Sequence, residues 1–293
     1  MDIGREIKDT FKRGSTLIKL IYINVAVFLA VNILQVVVFL FTGKPSTLGL
    51  IDWLAVPADL GNLITRPWTL LTYMFLQKGF LHILFNLLWL YIFGRIFLMY
   101  FNQKRLLSVY LVGGLAGAAL YILAFNIFPA FQGNLDESIA LGASASVMAI
   151  VIAISVYKPD YSINLLFLGP VRLKYIALFV IILDIIRIAS PNAGGHIAHL
   201  GGAIFGYFYI AQFRKGKNMT RGFDRFMDSV FALFKPKPKF KVTHKRAKTD
   251  IQYNKEKKER QEKINKILDK ISKYGYNSLS KEEKELLFRE KNN

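Results

Sequence analysis

Four polar residues lie inside apolar stretches of this chain, and their types together suit acyl transfer. Ser144 begins one apolar run, and a serine hydroxyl is a weak nucleophile until a neighbouring base takes its proton. His199, in a second apolar run, is the candidate base. His82 and Asn86 are four residues apart in a third run, so both would project from one face of a helix. The sequence therefore predicts a nucleophile, a base and two hydrogen-bond donors that stabilise an oxyanion.

Glycines flank the candidate nucleophile and base at helical spacing. Gly142 lies two residues before Ser144, while Gly202 and Gly206 follow His199 by three and seven residues on the same helical face. Because glycine has no side chain, another helix can approach such a face closely. We expect these three glycines to support the packing of the helix that carries His199 against the helix that carries Ser144.

Simpler interpretations of the same residues also exist. The segment 142–146 is small enough to be a packing face without chemistry, and His199 is compatible with a structural hydrogen bond between helices. His196 is a rival base, but the residue three positions after it is His199 rather than glycine, so we choose His199. Ser146 lies about 200° around a helix from Ser144 and cannot share its site.

Composition separates the chain into an apolar part and a basic part. Of 293 residues, 53% are hydrophobic, and the formal net charge is +19. From Arg214 onward there are 24 Lys and Arg against 11 Asp and Glu. Beside membrane spans, such a basic tail is expected to contact anionic lipid headgroups rather than nucleic acid. The chain has no cysteine, which excludes disulfides, thiol catalysis and thiolate metal sites. We predict neither a metal ion nor a cofactor.

The elements that must position these residues are membrane spans. Crossing about 30 Å of hydrocarbon at about 1.5 Å per residue takes about 20 apolar residues. We predict an all-α membrane protein with a bundle of six transmembrane helices. The expected spans are 17–41, 80–101, 106–128, 139–157, 175–189 and 195–213. Between the first two, residues 42–77 are apolar and carry Trp53 and Trp68, so this first loop is expected to lie in the membrane interface.

Four regions follow from this reading. They are a cytosolic N-terminal segment 1–16, a six-helix domain 17–213, a basic linker 214–254 that contains Lys235–Lys239, and a small cytosolic helical hairpin 255–293. A solvated charged tail is an equally open interpretation of the last region. Lys and Arg concentrate in the connections at one end of the spans. By the positive-inside rule, both termini are cytosolic and the four polar residues open toward the outer side. In the fifth span, Asp184 and Arg187 are three residues apart, a spacing at which they could pair.

Three short motifs resemble those of the rhomboid family of intramembrane serine proteases. Gly-x-Ser matches residues 142–144, His-x-x-x-Asn matches 82–86, and Ala-His-x-x-Gly-x-x-x-Gly matches 198–206. The resemblance implies a six-span fold and a dyad of Ser144 and His199 without an aspartate. It also implies a water-filled cavity open to the outside and substrates that are transmembrane helices of other proteins. The C-terminal hairpin is similar to an extension of some bacterial members, so we expect a bacterial inner-membrane protein.

Some positions depart from that family pattern. Ala145 stands where glycine is common, and Met148 replaces an aromatic residue that often stacks on the histidine. The Trp-Arg pair typical of the first loop is reversed in Arg66-Pro67-Trp68. Two other functions remain open. One is a catalytically silent rhomboid-like protein that binds membrane proteins in quality control, although that class lacks the serine or the histidine. The other is a transporter or channel. The sequence does not predict the oligomeric state.

Overall fold

The computed structural model describes residues 4, 9–11, 13–44, 46–165, 169–234 and 249–291, and the chain divides into two units between Phe234 and Lys235. Helices dominate the first unit. They are α1 (Thr16–Thr42), α2 (Leu50–Leu54), α3 (Leu60–Thr65), α4 (Thr69–Thr72), α5 (Phe80–Tyr100), α6 (Gln103–Ile127), α7 (Pro129–Gln132), α8 (Ser144–Tyr157), α9 (Leu173–Ile186), α10 (Ala193–Arg214) and α11 (Arg221–Phe234).

Among the described residues, three helices are long and apolar enough to cross a membrane, namely α1, α5 and α6. Helices α8 and α9 are apolar but have 14 residues each, and α10 has 22. Helices α6, α8 and α10 pack against one another at the centre, with α5 against α8 and α9 at the edge of α8 and α10. Leu178, Phe179 and Ile182 of α9 are exposed, as lipid contact requires. The fold is that of an all-α membrane protein.

The centre of the bundle is packed through glycines. A Cβ atom added to Gly202 would collide with the carbonyl oxygen of Ala145, and one added to Gly206 would collide with that of Ala149. Helix α10 therefore touches the backbone of α8 directly. The contact begins one residue after Ser144 and three residues after His199, so it fixes how close their helices come at this level.

Helix α8 begins five residues later than the expected fourth span, 139–157. Ile139–Ala140 instead forms strand β2, which pairs antiparallel with strand β1, Val56–Pro57. Gly142 then adopts φ of +133°, a conformation that favours glycine and is incompatible with a helix, while its N–H donates to the Tyr73 carbonyl oxygen at 2.9 Å. Apolar composition alone does not reveal these extended residues, because a buried strand and a helix are equally apolar.

A β-hairpin lies in the connection 158–174, between the expected fourth and fifth spans. Strand β3, Ser162–Leu165, pairs antiparallel with strand β4, Gly169–Arg172. Its residues alternate between exposed and half-buried.

The first loop is folded through its aromatic residues. It contains α2, β1, α3, α4 and a 3₁₀ turn at Tyr73–Phe75. The rings of Trp53 and Trp68 stack with centroids 5.5 Å apart, and the indole N–H of Trp68 donates to the Trp53 carbonyl oxygen at 2.8 Å. Arg66 donates to the Asp52 carbonyl oxygen at 2.8 Å. The reversed Arg66-Pro67-Trp68 sequence thus still anchors the loop.

Part of the expected basic linker, 214–254, is helical. Helix α11 is bound to α6 of the same unit by two aspartates. Asp224 accepts from the Ser108 hydroxyl at 2.5 Å, and Asp228 lies 2.6 Å from the Lys104 ammonium. The apolar residues of α11 recur at helical spacing, a pattern that the high basic content of the whole region obscures. The predicted extended stretch Lys235–Lys239 lies outside the described residues.

The second unit consists of α12 (Asp250–Tyr274), a 3₁₀ turn at Tyr276–Ser278 and α13 (Lys281–Lys291). Thr249 and Gln252 form a capping box at the start of α12. Lys270 of α12 lies 2.9 Å from Glu283 of α13. The Ser280 backbone N–H and the Lys270 ammonium both bind the Glu283 carboxylate, and they lower its pKa from the usual range. This helical segment begins earlier than the expected hairpin, 255–293.

Candidate functional site

Ser144 and His199 face the same two cavities between the helices. The first cavity, of about 310 Å³, lies among α5, α8, α9 and α10, and it is also lined by Asn86, Asp184 and His196. The second cavity, of about 660 Å³, is also lined by His82 and Asn86 and reaches the first loop and the start of α10. His199 therefore lines both cavities together with Ser144, whereas His196 lines only the first of them. The structure brings all four predicted site residues together around this space.

Ser144 is the first residue of α8, directly after an extended segment. The first N–H groups of a helix have no partner within it, so the backbone N–H of Ser144 is available as a donor. A Cβ atom on Gly142 would lie 3.4 Å from the Ser144 hydroxyl oxygen and 3.0 Å from Cε1 of His82. Gly142 thus lets His82 lie beside the nucleophile. Ser146 points elsewhere, toward Gly114 of α6, and is fully buried.

The orientation of His82 follows from a single hydrogen bond. The backbone N–H of Lys78 donates to Nδ1 of His82 at 3.2 Å. A ring nitrogen that accepts a hydrogen bond carries no proton, so the neutral ring has its proton on Nε2. The Nε2 atom lies 3.3 Å from where a Gly142 Cβ would be. His82 can therefore donate an N–H toward the space beside Ser144, as an oxyanion donor must.

Asn86 is oriented by a chain of buried amides. Its Nδ2 donates to Oε1 of Gln77 at 2.8 Å, and Gln77 Nε2 donates to Oδ1 of Asn24 at 3.0 Å. Asn24 in turn donates to the hydroxyl of Tyr110 at 3.2 Å and to the Leu20 carbonyl oxygen. The chain fixes Asn86 with its amide nitrogen as the donor, and the second N–H on that nitrogen remains for the cavity.

Replacing Asn86 by alanine is expected to lower kcat roughly 10²–10³-fold, because one of three oxyanion donors is lost. His82→Ala is expected to be at least as severe, since it removes both a donor and the partner of Lys78 N–H. The measurement is the turnover of a model transmembrane substrate in detergent, beside a thermal melt. Asn32→Ala is the matched control, because that amide bonds within α1 to the Phe28 carbonyl oxygen. Wild-type rates for both His82→Ala and Asn86→Ala would refute the oxyanion assignment.

A carboxylate links the two histidines of α10. Oδ1 of Asp184 lies 2.9 Å from Nδ1 of His199 and 2.8 Å from Nδ1 of His196. An ionised carboxylate can only accept, so both Nδ1 atoms carry protons. The Nε2 atom of His199 then has a lone pair, as a general base requires. Asp184 holds the imidazole in this tautomer, as the aspartate of a catalytic triad does.

This arrangement differs from one expectation. The dyad was expected to lack an aspartate, yet a carboxylate bonds to the candidate base. Asp184 and Arg187 are spaced so that they could have paired, but the Asp184 side chain is buried, 7% exposed, and two imidazole N–H groups of α10 satisfy it. Met148 lines the first cavity with His199, at the position where an aromatic residue was expected.

Sequence reasoning missed Asn24 and Gln77. A signal for Asn24 existed, since a polar amide inside the first apolar run is as unusual as His82 or Asn86 in theirs. Gln77 had no such signal, because it lies at the end of the first loop. Its role depends on contacts 53 residues back along the chain and nine residues forward.

Comparison with known proteins gives two family matches. Residues 65–216 match the model described as Rhomboid domain, and residues 248–289 match a family of unknown function, DUF6576. RHOMBOID-like protein 12, mitochondrial, of Arabidopsis thaliana is 32% identical over 161 residues, which cover 52% of this chain and 48% of that protein. Presenilin-associated rhomboid-like protein A, mitochondrial, of Danio rerio is 28% identical over 149 residues, covering 50% of this chain and 37% of that protein. The chain spans about half or less of the length of these relatives.

Proposed function

Because this chain belongs to the rhomboid family, we propose that it is an intramembrane serine endopeptidase that cleaves transmembrane segments of other membrane proteins. The observation that carries the proposal is that Ser144 and His199 both line the same two cavities. His82 and Asn86 supply donors at the second cavity, and Asp184 bonds to the imidazole of His199.

The chemistry proceeds in two acyl-transfer steps. Nε2 of His199 takes the proton of the Ser144 hydroxyl while the oxygen attacks the scissile carbonyl carbon. The resulting oxyanion is stabilised by N–H groups of Ser144, His82 and Asn86, and His199 then protonates the leaving amine. Water attacks the acyl-enzyme by the same route and releases the second product. Water therefore has to reach Ser144, and the polar lining of the second cavity suits that need.

We further propose six spans with both termini on the inner side of the membrane. Support comes from the end of the bundle opposite the site. There Arg105 lies 4.7 Å from the ring of Phe213, Lys158 lies 5.0 Å from that of Tyr100, and Arg214 donates to a backbone carbonyl of α8. Basic and aromatic residues at one end mark a membrane interface. The relatives are mitochondrial by name, and they do not support the bacterial origin that we expected from the sequence.

The alternative is a catalytically silent rhomboid-like protein that binds membrane proteins without cutting them. Intact catalytic groups argue against it, because binding alone needs neither Ser144 nor a base held in one tautomer. The basic character of the C-terminal region, which matches a family of unknown function, is compatible with either role.

Reconstitution with a single-span substrate separates the two functions. Purified full-length chain is placed in liposomes with a labelled single-span protein, and the products are identified by mass spectrometry. We expect cleavage within or beside the transmembrane segment. Substrate that crosslinks to the chain but stays intact, across a panel of transmembrane sequences, would favour the silent binder and contradict the protease.

A further inference from the structure

Asp184, His196 and His199 form a cluster of possible metal ligands, a property that the proposed role beside Ser144 does not require. One ligand atom from each residue lies within 4.8 Å of the other two. Two imidazole nitrogens and a carboxylate oxygen are a common ligand set for Zn²⁺ and related divalent transition metals. We predicted no metal site from the sequence.

The geometry of the cluster suits a metal that keeps an open position. All three residues line the first cavity, so a fourth ligand can come from water or from a bound molecule there. Three protein ligands with a fourth position for water are characteristic of catalytic zinc sites. The side chains are mostly buried, with 7%, 12% and 21% exposure for Asp184, His196 and His199. Metal–ligand bonds of about 2.0–2.2 Å need small adjustments of side chains that already converge on one point.

We propose that these three residues bind a divalent transition metal such as Zn²⁺, and that the bound ion switches off the base; the second half rests on the proposed protease function. The bound metal takes the lone pair of Nδ1 on both histidines. In a neutral ring the proton must then sit on Nε2. Nε2 of His199 becomes a donor and can no longer accept the proton of Ser144. The protons move within each ring, and the Asp184 carboxylate offsets one charge of the ion.

The same three residues therefore have two exclusive states. Without metal, Asp184 accepts from both Nδ1–H groups and leaves Nε2 of His199 basic. With metal, all three residues coordinate the ion and the base is blocked. His196 has no part in the acyl-transfer steps above, so it provides a way to alter metal binding without removing the nucleophile or the base.

The binding test uses full-length protein purified without a polyhistidine tag. Zn²⁺ affinity is measured by competition with a chromogenic chelator, and Co²⁺ is used to record the visible absorption of a His–carboxylate site. We expect one ion per chain, and an affinity at least about 100-fold lower in His196→Ala. His82→Gln is the matched control, because it removes a histidine outside the cluster and should bind as wild type does. Equal weakening in both variants, or no binding to wild type, would overturn the site.

The activity test follows in the same preparations. Zn²⁺ is expected to inhibit cleavage by the wild type, and addition of a chelator should restore the activity. The same Zn²⁺ concentration should not change the turnover of His196→Ala. If the wild-type chain binds Zn²⁺, if His196→Ala weakens that binding, and if the wild type shows no protease activity, the metal site is supported and the protease function is rejected. Active wild type that binds no Zn²⁺ would reject the site and keep the protease. Inhibition equal in wild type and His196→Ala would reject the switch.

Discussion

Ser144→Ala is expected to abolish both peptide cleavage and labelling by a fluorophosphonate, because both reactions require the nucleophile and we propose that it is Ser144. A loss of roughly 10⁴–10⁶-fold in kcat is typical when a serine protease loses its nucleophile. Binding of substrate should persist, since the cavities and the oxyanion donors are unchanged. The measurements are a cleavage assay, gel fluorescence of the labelled protein and a thermal melt.

Ser146→Ala is the matched control for that experiment. This hydroxyl is two residues further along α8, is fully buried, and finds no hydrogen-bond partner among the described residues. Its removal should leave labelling and folding near those of wild type. Label that persists in Ser144→Ala but disappears in Ser146→Ala would show that the nucleophile has been misassigned.

His199→Ala is expected to reduce cleavage by a similar factor, because the Ser144 hydroxyl then has no base and the leaving amine no acid. Its matched partner is His196→Ala, which removes an imidazole from the same helix and the same carboxylate. Asp184 keeps its bond to His199 in that variant, so turnover should stay within about tenfold of wild type, or about 1.4 kcal/mol in the barrier. Rates are compared in metal-free buffer.

The opposite pattern would be informative. If His196→Ala is inactive and His199→Ala cleaves, then His196 is the base and the glycine-spacing argument chose the wrong histidine. Thermal melts are needed in either case, since each variant leaves Asp184 with one imidazole partner fewer. A buried carboxylate that loses a partner destabilises the fold.

The four predicted site residues that line the two cavities were easier to single out from the sequence than the path of the backbone. Ser144, His199, His82 and Asn86 were recognisable because polar side chains are conspicuous in apolar runs. The late start of α8 was not, because strand β2 and the residues before it are as apolar as a helix. It depends on pairing with β1, more than 80 residues earlier along the chain. Helix α11 was missed for another reason: its apolar residues lie in a part of the sequence that is rich in Lys and Arg.

The partners of the site residues were the hardest to predict. Gln77 and Asn24 orient Asn86 through bonds that connect three separate segments, and such bonds have no signature in local spacing. Asp184 was visible as an ionisable residue in a span, but two partners were possible. Packing of α9 against α10 brought the two histidines to its carboxylate, which spacing along one helix does not indicate.

The backbone contact of Gly202 and Gly206 with α8 has a consequence for how this protein tolerates change. The positions of an enzyme that are most sensitive to substitution are usually its reacting side chains, where a substitution removes atoms. Here two positions without any side chain set the spacing of the helices that carry Ser144 and His199. One added methyl group at Gly202, a substitution usually regarded as mild, would move both helices apart. Sequence drift at this interface is therefore constrained against any gain of volume, and even the smallest addition is harmful.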